Sequence, residues 1–250
     1  MAFSPEETRR YARHLVLKGF GGPGQQALKA SRVLIVGAGG LGSPAIAYLA
    51  AAGVGTLGIA DNDRVALSNL QRQVIHRADA VGAGKAESAA GFAAALNSHV
   101  DLRVHDLKVD AGNAATIVGG YDLVLDGTDN FATRKAVAEA CEAAGILLVS
   151  GAVSMFDGHV TVFAPHLERA DGTPGPRFAD LYPDGIDDDD LPTCEATGIL
   201  GPLTGVIGAL MAMEAVKLIA GLGDPLIGRL LVYDGKTARF SEIAFGDGAG

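Results

Sequence analysis

From about Ser31 to Ser150, short apolar runs alternate with longer stretches whose apolar positions recur every three or four residues. Short runs suit strands buried on both faces, and the longer stretches carry the helical period. The pattern therefore predicts βαβ units that build a parallel sheet. The predicted strands are Arg32–Val36, Thr56–Ala60, Asp101–Val104, Leu123–Asp126 and Ile146–Val149. The predicted helices are Leu41–Ala52 and Lys85–Asn97, both rich in the strong helix former Ala, and Ala132–Ala143.

After Gly151 the pattern changes. His159–Phe163, Leu230–Tyr233 and Arg239–Ile243 read as strands added antiparallel to one side of the sheet. The stretch Pro165–Pro202 is rich in Asp and Pro and lacks periodicity, so it reads as a long loop, and loops of that length in compact domains tend to be functional. Leu203–Ala220 is apolar on nearly every side, which places it inside the fold or under another subunit. Its Thr204, Glu214 and Lys217 argue against lipid. No internal repeat or linker divides the chain, and Asp187–Asp190 reads as a solvated stretch of the loop.

Composition narrows the picture. With 250 residues, 48% of them hydrophobic, the chain can bury a real core, which excludes disorder and fibre. The 35 glycines follow no three-residue period and fall in turns. Lys and Arg number 20 against 29 Asp and Glu, a net charge of −9 with no basic stripe, so nucleic acid is not an expected partner. Cys141 and Cys194 cannot form a disulfide framework, and Met1–Arg10 is no secretory signal. A cytoplasmic protein outside the membrane is expected.

The run Val33-Leu-Ile-Val-Gly37-Ala-Gly39-Gly40-Leu-Gly42 reads as strand, glycine turn and helix start, with Gly37, Gly39 and Gly42 in the dinucleotide spacing. The first glycine allows the tight turn, the second lets backbone N–H groups approach a phosphate, and the third lets helix and strand pack closely. Asp61 follows the second strand, placed to accept hydrogen bonds from a ribose. Together these features predict an α/β fold with a Rossmann-like, doubly wound, mostly parallel sheet extended by antiparallel strands. The turn and Asp61 together favour an adenosine nucleotide, with NAD the first guess, and a tight corner without a ligand is the plainer alternative.

Downstream, Asp61-Asn62-Asp63, Ser68-Asn69-Leu70-Gln71-Arg72-Gln73 and Lys85 bring amides and two cations toward the same end of the sheet. Hydride transfer needs no such group, whereas a triphosphate must be neutralised before a carboxylate attacks its α-phosphorus. Solvated surface charge is the plainer alternative for Arg72 and Lys85. The fourth strand ends in Asp126-Gly-Thr128-Asp129-Asn130, at the carboxyl edge where open parallel sheets bind ligands. Asp129 is a candidate Mg²⁺ ligand, because Mg²⁺ in nucleotide sites takes one or two carboxylates plus phosphate oxygens. The alternative is that Asp129 caps the following helix.

These segments, with Thr193-Cys194 and the opening Arg10-Tyr11-Ala12-Arg13-His14, resemble the ThiF/MoeB/HesA family, bacterial relatives of the ubiquitin-activating E1 enzymes, over nearly the whole chain. The resemblance implies one E1-like adenylation domain over 1–250, with a helical arm at 1–30, a nucleotide-binding core at 31–150 and a crossover loop at 165–202. The implied reaction is attack on ATP by the C-terminal Gly-Gly carboxylate of a ubiquitin-like sulfur-carrier protein of ThiS or MoaD type. It gives acyl-adenylate and pyrophosphate, for sulfur transfer in the biosynthesis of a cofactor such as thiamine or molybdopterin. By this resemblance Gly37, Gly39, Gly40 and Gly42 hold the nucleotide, and Asp61 binds the ribose. Arg72 and Lys85 contact the phosphates with Asn69 assisting, and Asp129 holds Mg²⁺. Arg13 matches an arginine finger that reaches the neighbouring subunit's site, which implies a homodimer. Cys194 matches a crossover-loop cysteine that in some members carries a thioester or persulfide step, with a non-catalytic thiol as the alternative.

The chain departs from the family pattern in one place. Many members bind zinc through two Cys-x-x-Cys pairs, which here would fall near Arg177 and Asp180 and beyond Phe245, and neither pair is present. No zinc is expected. No rhodanese-like segment follows Ile243, so a separate protein is expected to donate the sulfur. Cys141 fits the apolar face of its helix, and His14, with no carboxylate or metal partner evident, reads as a helix-surface residue. An NAD(P)-dependent oxidoreductase and a non-catalytic carrier-binding scaffold are the alternatives, the latter disfavoured because a scaffold has no need of Arg13, Arg72, Lys85 and Asp129 together.

Overall fold

The computed structural model describes residues 3–168, 172–183 and 198–246. Its strands are β1 (Arg32–Val36), β2 (Thr56–Ala60), β3 (Asp101–His105), β4 (Leu123–Asp126), β5 (Leu147–Ser154), β6 (Asp157–Phe163), β7 (Arg229–Asp234) and β8 (Arg239–Ala244). They form one sheet in the order β3-β2-β1-β4-β5-β6-β7-β8. Pairing is parallel from β3 through β5 and antiparallel from β5 through β8. This is the expected α/β class, and its strand order reverses between β1 and β4, the switch point where ligands bind.

Strand alternation builds two cores. Val33 and Ile35 of β1 face one layer, with Leu49, Ile207 and Met211. Leu34 and Val36 face the other, with Val118, Val137 and Phe178. The first layer is supplied by the helices α3 (Gly21–Ala30), α4 (Gly42–Ala52), α5 (Lys85–Leu96) and α9 (Gly201–Ala220), the second by α6 (Ala114–Val118), α7 (Phe131–Ala144) and α8 (Phe178–Leu181). Helix α9 is long and apolar enough to cross a membrane, with a mean hydropathy of 1.7 over its best window. One face is nevertheless buried against α4 and β5, and its Glu214 is spent inside the protein, accepting from the Leu226 amide at 2.8 Å and from Lys217 at 2.5 Å.

Boundaries shift where local chemistry overrides the pattern. β5 runs to Ser154 because β6 pairs with it as far as Ser154 opposite Asp157. α7 starts at Phe131 behind an N-cap at Asn130, whose side chain accepts from the Thr133 amide at 2.9 Å. α9 begins at Gly201, with Pro202 in its first turn. The segment expected as loop contains α8, whose Phe178 packs with Phe131, Phe163 and Tyr182. The Arg177 amide donates to the Asp180 carboxylate at 2.8 Å at the start of this helix. Asp187–Asp190 and Cys194 lie outside the described residues.

Two short helices, α1 (Pro5–Arg10) and α2 (Ala12–Leu15), open the chain. A Ser4–Glu7 capping box starts α1, and Glu7 pairs with Lys29 of α3 at 2.6 Å, which holds its carboxyl below the usual range. His14, half-buried, has a neutral partner: its Nδ1 lies 2.7 Å from Gln25 Oε1. Gln25 uses its own amide on the Ala52 carbonyl at 2.7 Å, so His14 is the donor. The fully buried Asn97 donates to the Tyr11 hydroxyl at 2.9 Å and to the Ala50 carbonyl at 2.7 Å, tying the opening segment to the Rossmann-like core. Asn97→Ala removes both bonds and leaves the Ala50 carbonyl with only the Gly53 amide, at 3.1 Å, so urea titration should show a loss of about 1 to 2 kcal/mol.

Candidate nucleotide-binding site

The turn from β1 into α4 is among the tightest backbone packing in the molecule. Gly37 has φ +93°, a region that favours glycine, and a Cβ on Gly42 would fall 1.9 Å from the Gly37 carbonyl oxygen. Asp61, just beyond β2, accepts from the Ala38 amide at 2.7 Å and from the Asp63 amide at 2.8 Å. Burial pushes its carboxyl up, against the pull of those two donors and of Lys85. The carboxylate thus shapes the turn as well as facing the cavity, a second role that spacing alone does not reveal.

A cavity of about 550 Å³ opens over this turn, within the range of small-molecule sites. Gly37, Gly39, Gly40, Asp61, Asn69, Arg72, Lys85 and Asp129 all line it. Gly42 does not, because it packs behind the turn. A Cβ on Gly39 would meet only Gln73 Nε2, at 3.5 Å, so the bare backbone there is open to a ligand.

The cations are held at the wall. Lys85 begins α5 with its stem buried, and its Nζ lies 2.8 Å from Asp63 Oδ2. Asp63 is a partner the spacing did not single out. Arg72 is anchored through Nη1 to the Ser68 carbonyl at 3.2 Å. Asn69 accepts from the Ala66 amide at 3.1 Å through Oδ1, which leaves its NH₂ as the donor end. Across the cavity, Asp129 is exposed, and the cap on α7 belongs to Asn130, which removes capping as an account of Asp129. An oxygen-only, solvent-facing carboxylate beside a phosphate-sized cradle fits a Mg²⁺ ligand.

Arg13 is exposed and does not line its own chain's cavity. Cys194 lies outside the described residues, and Cys141 is buried, its thiol pushed up to about 12 by burial and by Asp126.

The far wall holds residues the spacing missed. Arg134 of α7 is buried and donates to the Thr128 carbonyl at 2.9 and 2.6 Å and to the Gly151 carbonyl at 2.5 Å. It thereby fixes the turn that carries Asp129. Asp126, buried and pushed up by desolvation, faces Arg134 at 3.9 Å. His159 Nε2 lies 2.9 Å from the Tyr182 hydroxyl, and burial, then Arg134, lowers its imidazole to about 4. The available signal was a charged residue, Arg134, on an otherwise apolar helix face, and a histidine inside a strand.

Glycine turn, acid after β2, two cations and a carboxylate meet at the switch point of a doubly wound α/β domain, the place where such sheets bind ligands. The ThiF family profile matches residues 11–247. The chain is 48% identical over 242 residues to the probable adenylyltransferase/sulfurtransferase MoeZ of Mycobacterium tuberculosis, an overlap of 97% of this chain and 61% of that protein. It is 44% identical over 236 residues to the SAMP-activating enzyme E1 of Haloferax volcanii, 94% of this chain and 84% of that one. Among solved structures, Escherichia coli MccB crystallised with ATP aligns with a TM-score of 0.80 at 21% identity over 95% of this chain and 72% of its own. PaaA aligns at 0.78 with 25% identity over 97% and 75%. The chain belongs to the ThiF family. It spans about three fifths of the MoeZ protein that it matches.

His159 gives the site a pH signature. Unfolded, the imidazole takes up a proton near 6.5, whereas the folded protein resists it until about 4. Stability should therefore fall as pH drops from about 6.5 and level off below about 4, by at most about 3 kcal/mol from this group. His159→Gln should remove that part of the slope in denaturant titrations run across this range; an unchanged slope would show that the ring protonates freely in the fold.

Proposed function

We propose that the chain is an ATP-dependent adenylyltransferase, one E1-like domain with its crossover segment at 165–202, that activates the C-terminal Gly-Gly carboxylate of a ubiquitin-like sulfur-carrier protein. The observation that carries this reading is the meeting, around one cavity, of the glycine turn, Arg72 and Lys85 on one side and Asp129 on the other. Hydride transfer itself needs no cation here, whereas displacement at a triphosphate gains from both. The match to MoeZ and to the SAMP-activating E1, whose names state adenylyl transfer and E1 activation, supports the same reading.

In this mechanism Asp61 accepts from the ribose, and the backbone of Gly39, open to the cavity, and of Gly40 beside it lies along the phosphates. Arg72 and Lys85 neutralise phosphate charge, with Asn69 donating beside them, and Asp63 keeps the Lys85 ammonium at the wall. Asp129 would hold Mg²⁺, which when bound screens the phosphate oxygens. The attacking carboxylate is already ionised at neutral pH, so no general base is required. Its oxygen bonds to the α-phosphorus, the bond from that phosphorus to the β-bridging oxygen breaks, and pyrophosphate leaves. Positioning and charge neutralisation supply the catalysis.

Arg13, exposed and away from its own cavity, is proposed to enter the site of a second copy in a homodimer. Cys194 is proposed for a later thioester or persulfide step. A separate protein is proposed as sulfur donor, the compartment as cytoplasmic, and no zinc is included.

Incubation with ATP, Mg²⁺ and a Gly-Gly-ending carrier should convert the carrier to its acyl-adenylate, seen by mass spectrometry as an added AMP moiety. Asp129→Ala and Arg13→Ala should each abolish or strongly reduce that product. Mixed after subunit exchange, the two variants should regain about a quarter of wild-type activity, because half the dimers then hold one intact composite site; no recovery would place Arg13 in its own subunit's site or outside catalysis. Cys194→Ala should form the adenylate normally and lose sulfur transfer, and retention of both activities would remove the cysteine from the mechanism.

A further inference from the structure

His76 lies behind the glycine turn, buried, and does not line the cavity. Its Nε2 is 2.8 Å from the Ala38 carbonyl oxygen, and its Nδ1 is 2.9 Å from Ser88 Oγ. A carbonyl can only accept, so Nε2 carries the hydrogen. In the neutral ring Nδ1 then offers its lone pair, and the Ser88 hydroxyl donates to it. Ala38 sits between Gly37 and Gly39, and its own amide donates to Asp61 at 2.7 Å. Ser88 stands one helical turn beyond Lys85 on α5. The charged groups acting on the ring are Lys85 and Asp61, of opposite sign, while burial holds the imidazole below its usual range and so neutral.

We infer that His76 is a positioning residue for the nucleotide subsite, holding the Ala38 carbonyl of the glycine turn and Ser88 of the Lys85 helix in fixed register through its two ring nitrogens. The inference rests on the reading of the cavity as an ATP site. The turn is thereby pinned from two directions, by Asp61 at the Ala38 amide and by His76 at the Ala38 carbonyl. Without a donor at the Nε2 position that buried carbonyl is unpaired, and the turn is free to relax away from the geometry that presents its backbone to phosphate.

The side-chain amide nitrogen of Gln occupies nearly the position of His Nε2, whereas Asn ends near Nδ1 and Phe fills the space with no donor. His76→Asn and His76→Phe should each raise KM for ATP by about tenfold, the scale of one lost buried hydrogen bond, with KM for the carrier unchanged. His76→Gln should stay within about twofold of wild type, since it restores only the bond to Ala38. Nitrogen-15 NMR of the wild-type ring should show the proton on Nε2 and an unprotonated Nδ1 that accepts a hydrogen bond. Equal ATP KM in all three variants, a parallel rise in both KM values, or a proton on Nδ1 alone would overturn the assignment. Binding of a non-hydrolysable ATP analogue to the wild type is measured beside these. Its absence would overturn the nucleotide reading and the positioning role with it, and is distinguishable because the tautomer is read without ligand.

Discussion

The close approach of the Gly37–Gly42 turn to itself and to the β4–α7 turn is the constraint on which the rest of the site depends. A side chain on Gly42 has no room beside the Gly37 carbonyl, and one on Gly37 would meet the Gly127 backbone at 3.2 Å. Those two turns follow β1 and β4, the adjacent strands at which the sheet order reverses. Their contact sets the floor of the cavity. Lys85 and Arg72 reach that floor from one side and Asp129 from the other because the strands beneath are in register from Val33 opposite Leu123 to Val36 opposite Asp126.

Charge is placed on this frame with little left unbalanced. The chain carries nine more acids than bases, yet the cations nearest the cavity are each held by an acceptor. Asp63 takes Lys85, the Ser68 carbonyl takes Arg72, and the Thr128 and Gly151 carbonyls take Arg134. Such anchoring removes side-chain freedom before a ligand arrives, which is the part of catalysis by positioning that a protein can build in advance. Asp61 and Asp126 are pushed up by burial, offset for Asp61 by the Asp63 amide, Lys85 and the Ala38 amide, and for Asp126 by the charge of Arg134 and then by Thr128.

The parallel core was legible because its strands are apolar runs buried on both faces, and β1, β2 and β4 fall at the bounds that periodicity predicts. The glycine spacing and Asp61 were legible because backbone geometry restricts which residues fit there. What pattern could not show was pairing across the chain. The partner of His14, Gln25 at 2.7 Å, comes from another helix. Lys85 looks like a free cation until Asp63 is placed beside it, and Arg134 and His159 belong to one wall only after α7 and β6 are packed on β5. The Asn130 cap shows the same limit on a smaller scale. Asp129 and Asn130 are both good caps, and only the course of the backbone decides between them.

The account stands or falls on whether the cavity serves a triphosphate and a protein carboxylate together. Exchange of radiolabelled pyrophosphate into ATP, measured with purified protein, Mg²⁺ and a panel of Gly-Gly-ending carriers from the same source, tests that most directly. The account predicts exchange that requires both Mg²⁺ and one carrier of the panel, and that NAD does not compete with. Binding of NAD in place of ATP, or bound ATP with no exchange for any carrier, would contradict it.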